Sequence, residues 1–262
     1  MLKNKKLFLL DMDGTIYLDD DLFDGTLDFL DTVKAHGGRY IFLTNNSSKS
    51  TEDYVKKLAR IGIKSSEDEF LTSTDATIRY IKTNHPTVKF YSFGTASFTK
   101  QLRDAGINAV TELEEGIGGL VISNDQELIF KKLDDASRLL LNKELIYIAT
   151  NPDWVCPTSY GYVPDCGSFC DMLKRATGRE PHFIGKPAPE MIWIAMEKYG
   201  YSADDALMVG DRLYTDIASG NNAGIDTVFV LSGEGTLKDL KTSSVEPTYV
   251  MKNIRELYEK IV

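Results

Sequence analysis

Short apolar runs alternate with amphipathic helical patterns along the 262-residue chain. The runs are four or five residues long and are typical of buried strands. They occupy positions 6–10, 40–43, 89–93, 119–123, 145–149, 206–209 and 227–231. Between them, 51–61, 128–141 and 190–199 carry apolar residues three and four positions apart, as one face of a helix does. This alternation predicts an α/β fold with a Rossmann-like, mostly parallel sheet covered by helices.

Charge and hydropathy exclude two classes of partner. The net charge is −9, whereas a protein that binds nucleic acid needs a basic face. No apolar run approaches the ~18 residues of a transmembrane helix. The run at 7–10 is also shorter than the ~7–15 apolar residues of a signal peptide. We therefore expect neither nucleic acid nor a membrane as a partner.

The three cysteines of the chain, Cys156, Cys166 and Cys170, are an odd number and lie close together. Such a set predicts reduced thiols in a cytoplasmic protein rather than a disulfide framework. Together with His182 they make four possible zinc ligands, but their spacing matches no compact zinc module.

Polar residues follow four of the predicted strands or short apolar runs. Asp11, Thr44, Lys186 and Asp211 each lie at such an end, Lys186 after the apolar pair 183–184. In open parallel sheets, ligands bind beyond the carboxyl ends of the strands. An acidic protein that binds an anion also needs a local positive group, which a lysine or a metal ion can supply. The sequence therefore predicts one site assembled from four distant segments.

The segment Asp11-Met12-Asp13-Gly14-Thr15 places two carboxylates two positions apart, just past a predicted strand. One carboxylate can attack phosphorus to give an acyl phosphate. The other can protonate the leaving oxygen and later deprotonate water. Gly14 permits a sharp turn whose backbone N–H groups face an anion. Taken alone, the segment is equally compatible with an ordinary turn, in which aspartates are common.

Two further segments suit a phosphate group. In the segment 44–48, the Thr44 hydroxyl and the following amides of Asn45 and Asn46 can bind phosphoryl oxygens, although its serines could simply cap a helix. Lys186 lies in a loop stiffened by two prolines and can offset the repulsion between Asp11 and a phosphate dianion. Two unit charges about 4 Å apart interact by roughly 4 kcal/mol at an effective dielectric near 20. A surface lysine in a proline turn is the alternative interpretation.

The fourth segment carries two acids, Asp211 and Asp216, five positions apart after the strand at 206–209. A few carboxylate oxygens suit Mg²⁺, which keeps several waters and bridges to phosphate. Asp216 either caps the following helix or orients Lys186 or a metal-bound water.

These four segments, in this order and each at a strand end, resemble the motifs of the haloacid dehalogenase (HAD) superfamily of phosphotransferases. In that family the first acid is the nucleophile and the acid two positions later is the acid/base, roles that fall on Asp11 and Asp13. The threonine and lysine that hold the phosphoryl group correspond to Thr44 and Lys186. The resemblance also implies Mg²⁺ held by Asp11, the backbone carbonyl of Asp13, and Asp211. An acid at Asp13 favours a phosphatase over a dehalogenase.

The spacing of the motifs predicts an inserted domain. Only 33 positions separate Asp11 from Thr44, whereas 142 separate Thr44 from Lys186. The second interval is far longer than the roughly 30 residues of a βαβ unit. We therefore predict an α/β cap domain at 77–180. The catalytic core would comprise the two flanking segments, 1–76 and 181–262.

The size and position of this cap resemble the NagD-like subgroup, which carries a large α/β cap. That subgroup contains phosphatases of sugar phosphates, nucleotides and pyridoxal phosphate, and the segments 44–47 and 151–154 resemble it too. Pyridoxal phosphate phosphatases carry a histidine where this chain has Cys156, so pyridoxal phosphate is disfavoured as the substrate. The resemblance also implies a possible homodimer formed through the cap.

Residues 151–166 form the predicted loop that reads the leaving group. Asp153, Trp154 and Cys156 are its candidate substrate contacts. Packing inside the cap core is the alternative for Trp154. A closing cap would exclude water from the site.

The sequence thus predicts a Mg²⁺-dependent phosphatase that hydrolyses a small phosphorylated metabolite, such as a sugar phosphate or nucleotide, through a phosphoaspartate on Asp11. A phosphotransferase or mutase on the same fold is one alternative. A non-catalytic sensor of a phosphorylated metabolite is another. The presence of Asp11, Asp13, Lys186 and Asp211 together disfavours the sensor, because each chemical role is filled.

Overall fold

The computed structural model describes residues 2–47, 50–158 and 161–262, so Ser48 of the second motif and Tyr160 of the predicted reading loop lie outside the described residues. The strands are, in chain order, β1 Leu7–Leu10, β2 Tyr17–Leu18, β3 Asp21–Leu22, β4 Arg39–Thr44, β5 Phe70–Thr72, β6 Lys89–Phe93, β7 Ala109–Val110, β8 Ile117–Ile122, β9 Ile146–Ala149, β10 Val155–Thr158, β11 Gly161–Pro164, β12 His182–Phe183, β13 Ala206–Gly210, β14 Asp226–Val230 and β15 Tyr249–Met251. The α-helices are α1 Thr26–Ala35, α2 Thr51–Arg60, α3 Ser73–Asn84, α4 Ala96–Asp104, α5 Phe130–Leu139, α6 Cys166–Thr177, α7 Glu190–Tyr199, α8 Ala218–Ala223, α9 Leu237–Thr242 and α10 Ile254–Ile261. A π-helical turn spans Leu213–Ile217.

The predicted α/β fold is confirmed. The seven predicted strands correspond to β1, β4, β6, β8, β9, β13 and β14, each within two residues at either end. The predicted helix at 190–199 coincides with α7, while α5 is shorter than its predicted range of 128–141. None of the described helices is long and apolar enough to cross a membrane.

The chain divides into two compact units. The core unit comprises Met1–Thr44, Thr51–Leu71 and Lys186–Val262. The cap unit comprises Asn45–Ser50 and Thr72–Gly185. The cap therefore starts and ends about five residues from the predicted limits, 77 and 180, and it also includes a short piece of the second motif.

The core unit is built on a six-stranded sheet in the order β15-β14-β13-β1-β4-β5. Strand β1 pairs in parallel with β13 on one side and β4 on the other. All four of its residues are buried, because helices cover both faces of a parallel sheet. Leu10, the last residue of β1, lies opposite Val209 and Phe42 in the ladder, and β13 and β4 end one and two residues further on. The residues that follow them are thereby brought to one edge.

The cap unit has a five-stranded sheet in the order β12-β9-β8-β6-β7, in which the pairs are parallel. Its core includes Phe93 and Phe169, whose ring centroids are 6.0 Å apart. Within the predicted reading loop, β10 and β11 pair in antiparallel fashion, which the sequence did not predict. Trp154 and Tyr162 are 60% and 70% exposed, so they do not belong to the cap core.

Candidate active site

The first motif begins where the central strand ends. The backbone N–H of Asp11 still donates to the Val209 carbonyl at 2.9 Å, which continues the ladder by one residue. The chain then turns at Gly14, whose φ of +86° is a conformation that glycine adopts without strain. The end of a buried strand therefore fixes the Asp11 backbone, while the turn carries Asp13.

Lys186 joins the first, third and fourth motifs. Its ammonium lies 2.6 Å from Asp11 Oδ1 and 2.7 Å from Asp216 Oδ1, and it also faces the Leu43 carbonyl at 3.4 Å. The lysine is only 3% exposed. Burial by itself lowers the pKa of an ammonium, but the two carboxylates outweigh it and raise the pKa of Lys186 above its ordinary value. The site therefore holds a buried positive charge, and Asp216 is one of the two carboxylates that contact it.

Three acids converge beside this lysine. Donor oxygens of Asp11, Asp211 and Asp216 lie within 4.8 Å of one another, an arrangement that could hold a metal ion. Burial raises the pKa of Asp211 to about 8, with Asp11 and Asp216 adding to the effect. Burial and Asp11 raise the pKa of Asp216 to about 6, although Lys186 opposes them. This local excess of negative charge is suited to a cation.

Asp211 has one oxygen without a protein partner. Its Oδ2 accepts a hydrogen bond from the Glu234 N–H at 2.6 Å, whereas its buried Oδ1 has none. A Cβ added at Gly14 or Gly233 would lie 2.5 or 2.0 Å from Asp211 Oδ2, so backbone closes tightly around this carboxylate. A buried oxygen without a partner is costly unless an ion or water completes its contacts. The donor set and this orphaned oxygen fit a hard divalent cation such as Mg²⁺.

Asp13 differs from the other acids because its side chain is 53% exposed. Tyr17 donates its hydroxyl to Asp13 Oδ2 at 3.3 Å, and the Lys57 ammonium lies 3.4 Å from Oδ1. Partial loss of hydration raises the pKa of Asp13; Lys57 opposes this and Asp11 reinforces it, and the net shift is upward. Lys57 and Tyr17 are not among the predicted site residues, and no local sequence signal distinguishes Lys57 from the neighbouring Lys56.

The second motif is shared between the two units. Thr44 ends β4 in the core unit, and its hydroxyl lies 3.4 Å from that of Tyr54. Asn45 and Asn46 belong to the cap unit and are partly buried. Asn45 Nδ2 donates to Asp153 Oδ2 at 2.8 Å. The substrate contacts predicted for Thr44, Asn45, Asn46 and Asp153 stay predictions.

The remaining cap candidates lie just before β10 or within it. Asp153 is 9% exposed and also accepts a hydrogen bond from Asn151 Nδ2 at 2.8 Å. Trp154 is largely exposed, and Cys156 is a partly buried, reduced thiol. In the described parts of the chain, the group of acids that could hold a metal contains no cysteine, so no observation favours a zinc site here.

Comparison with known proteins assigns the chain to a family. A model described as haloacid dehalogenase-like hydrolase matches residues 8–108, and one described as HAD-hydrolase-like matches residues 183–257. An acid sugar phosphatase of Staphylococcus aureus (strain MRSA252) is 35% identical over 255 residues, which cover 97% of each chain. The protein is a haloacid dehalogenase-like hydrolase. The family predicted from the four motifs is thereby confirmed.

Solved structures extend the likeness of this HAD hydrolase to the whole fold. A 4-nitrophenylphosphatase of Thermotoga maritima has a TM-score of 0.93 and 39% identity, with 100% of this chain and 99% of that one covered. A glycerol phosphate phosphatase of Mycobacterium tuberculosis, in complex with magnesium, has a TM-score of 0.91 and 27% identity, with 98% and 78% covered. NagD proteins are also among the similar structures. These relatives confirm the predicted enzyme class, a hydrolase of phosphoric monoesters.

Proposed function

We propose that this HAD hydrolase is a Mg²⁺-dependent phosphatase that cleaves small phosphate monoesters through a phosphoaspartate on Asp11. The observation that carries the proposal is the buried ammonium of Lys186, which contacts both Asp11 and Asp216 within 2.7 Å. Attack of a carboxylate on a phosphate dianion brings like charges together, and a fixed buried cation reduces that repulsion. Because the cation is already in place, little reorganisation is needed during the reaction.

The proposed metal site consists of Asp11, Asp211 and the backbone carbonyl of Asp13. The partnerless Oδ1 of Asp211 and the clustered carboxylate oxygens support it. When bound, Mg²⁺ would neutralise charge on the phosphate group and help to orient it. Asp216 contributes differently, because its Oδ1 holds Lys186 and its Oδ2 accepts the Arg212 N–H at 3.1 Å. It therefore keeps the lysine directed at Asp11.

The first chemical step forms the phosphoenzyme. A carboxylate oxygen of Asp11 attacks phosphorus, and the bond between phosphorus and the leaving oxygen breaks. Protonated Asp13 gives its proton to that oxygen, so the leaving group departs as an alcohol. The upward shift of the Asp13 pKa supports this role, because it favours the protonated form of the carboxyl.

The second step releases phosphate. Water attacks the phosphorus of the acyl phosphate while the Asp13 carboxylate takes a proton from that water. The bond between phosphorus and Asp11 breaks, so phosphate leaves and the Asp11 carboxylate is restored. Asp13 ends the cycle protonated, ready for the next substrate.

Sugar phosphates are the substrate class we propose. The support is the acid sugar phosphatase relative, which is similar over 97% of both chains and therefore over the cap as well. A panel of sugar phosphates, polyol phosphates and nucleotides, compared by kcat/KM, tests this assignment. Higher kcat/KM for nucleotides than for every sugar phosphate would contradict it.

We further propose a homodimer formed through the cap unit, which light scattering coupled to gel filtration tests.

The mechanism is tested by phosphate release from p-nitrophenyl phosphate with Mg²⁺, with EDTA, and with Asp11→Asn. We expect chelation and the substitution each to reduce turnover by several orders of magnitude. Asp204→Asn is the matched control, because Asp204 is exposed and precedes the amino end of β13. Full activity in Asp11→Asn, with an unchanged melting temperature, would refute the phosphoaspartate assignment.

A further inference from the structure

We propose that Lys57 is a positioning residue that holds the Asp13 carboxyl group for proton transfer to the leaving oxygen. The inference rests on the proposed role of Asp13 as the acid of the first step. Lys57 itself would touch neither phosphorus nor the leaving oxygen in this role. It would act through Asp13.

The contacts of Lys57 are those of a held side chain. It lies on α2, and its ammonium is 3.4 Å from Asp13 Oδ1 and 4.1 Å from the centroid of the Tyr17 ring. Its side chain is only 19% exposed, whereas that of the neighbouring Lys56 is 68% exposed and pairs with Glu52 on the same helix. The cation–π contact with a buried ring restricts the ammonium further. Lys57 is therefore fixed where a surface lysine would be mobile.

Asp13 needs such a partner because of its position. Unlike Asp211 and Asp216, which are almost fully buried, it is half exposed on a turn. A free carboxyl there would sample several rotamers, and a productive geometry would then cost conformational entropy. Lys57 and the Tyr17 hydroxyl each contact a different oxygen of Asp13. Together they restrict its rotation at both oxygens.

A second possible role for Lys57 is direct contact with the substrate phosphate. The two roles predict different dependence on the leaving group. An alkoxide cannot leave without a proton, whereas p-nitrophenolate is stable without one. Loss of a phosphate contact would lower kcat/KM for all monoesters alike, because they share the phosphate group. Loss of acid positioning would lower it selectively for alkyl phosphates.

The test compares kcat/KM for glycerol phosphate with that for p-nitrophenyl phosphate in Lys57→Met and Lys57→Arg. The parameter kcat/KM reports on phosphoenzyme formation, in which the leaving group is protonated. General acid catalysis contributes about 10²–10⁴-fold, so we expect Lys57→Met to lose roughly tenfold more on the alkyl ester than on the aryl ester. Lys57→Arg keeps a cation and should restore much of this loss. Lys56→Met, its neighbour on α2, should change neither value.

A uniform loss on both substrates, or no loss on either, would overturn the positioning role. Melting temperatures of Lys57→Met and Lys57→Arg, compared with the wild type, identify a loss that comes from unfolding. If Lys57→Met unfolds, Lys57→Gln, which also removes the charge, repeats the comparison in a folded protein. Failure of the proposed function would give a different result from failure of the positioning role. In that case Asp11→Asn would keep its activity, or Asp13→Asn would lose the same factor on both esters. The second outcome would overturn the inference as well.

Discussion

Replacing Asp211 by asparagine should stabilise the metal-free enzyme while abolishing its response to Mg²⁺. The carboxylate is 1% exposed, and its donor oxygens lie within 4.8 Å of those of Asp11 and Asp216. At that separation and an effective dielectric near 20, each pair of unit charges repels by roughly 3 kcal/mol. Lys186 offsets about one of the two neighbouring negative charges. Removal of the Asp211 charge should therefore raise the free energy of unfolding by roughly 3 kcal/mol. Asparagine keeps an oxygen that can accept the Glu234 N–H.

The pH dependence of this gain follows from the direction of the pKa shift. Burial first, then Asp11 and Asp216, raise the pKa of Asp211 from 3.8 to about 8 in the folded protein. A raised carboxyl pKa means that the folded state binds the proton more tightly than the unfolded state does. The cost of ionising Asp211 is therefore absent below about pH 4, grows through the interval, and is complete above about pH 8. The advantage of Asp211→Asn should be largest at about pH 9 and reduced to roughly a third of that at about pH 5.

Urea denaturation in EDTA and in Mg²⁺, at about pH 5 and about pH 9, measures both effects. A ligand at about 100 times its Kd stabilises the wild type by roughly 2.7 kcal/mol, and Asp211→Asn should show little of this gain. The exposed substitution Asp204→Asn serves as the control, with no expected change under any of these conditions. An Asp211→Asn variant no more stable than the wild type in EDTA at the higher pH would refute the predicted charge repulsion. Equal stabilisation of both proteins by Mg²⁺ would refute the metal assignment.

Three further predictions concern the site and the cap. Lys186→Met should abolish turnover and lower the free energy of unfolding by about 3–5 kcal/mol, because it leaves buried carboxylates uncompensated. Urea denaturation measures this loss of stability, with Lys56→Met as the control. Gly14→Ala should lower the free energy of unfolding by about 1–3 kcal/mol and weaken Mg²⁺ binding, because φ is +86° and the new methyl group would press on Asp211. An unaltered Mg²⁺ affinity, measured by calorimetry, would contradict this prediction. In a thiol titration of the native protein Cys156 should react first, because Cys166 is fully buried and its burial raises the thiol pKa, and all three cysteines should react in denaturant.

Much of the fold and part of the site follow from local sequence patterns. Buried strands of a parallel sheet are short apolar runs, so β1 and β13 could be located without knowledge of their partners. Residues just after the strands of one parallel sheet lie at one edge of it, which made Asp11, Thr44 and Asp211 candidates for one site. Lys186 contacts Asp11, 175 positions away, although it follows β12 of the five-stranded cap sheet, so this contact does not come from the strand-end rule.

Other features were decided by tertiary structure alone. Lys56 and Lys57 are equivalent in sequence, yet only the packing of α2 against the first motif brings Lys57 to Asp13, 44 positions away. The hydrogen bond between Asn45 and Asp153, 108 positions apart, likewise depends on a contact that no local pattern encodes. The assignment of 45–50 to the cap unit has the same origin. The physical reason is that hydrophobic periodicity records how a segment is buried, whereas the partner of a polar side chain depends on which segments the packed core brings together.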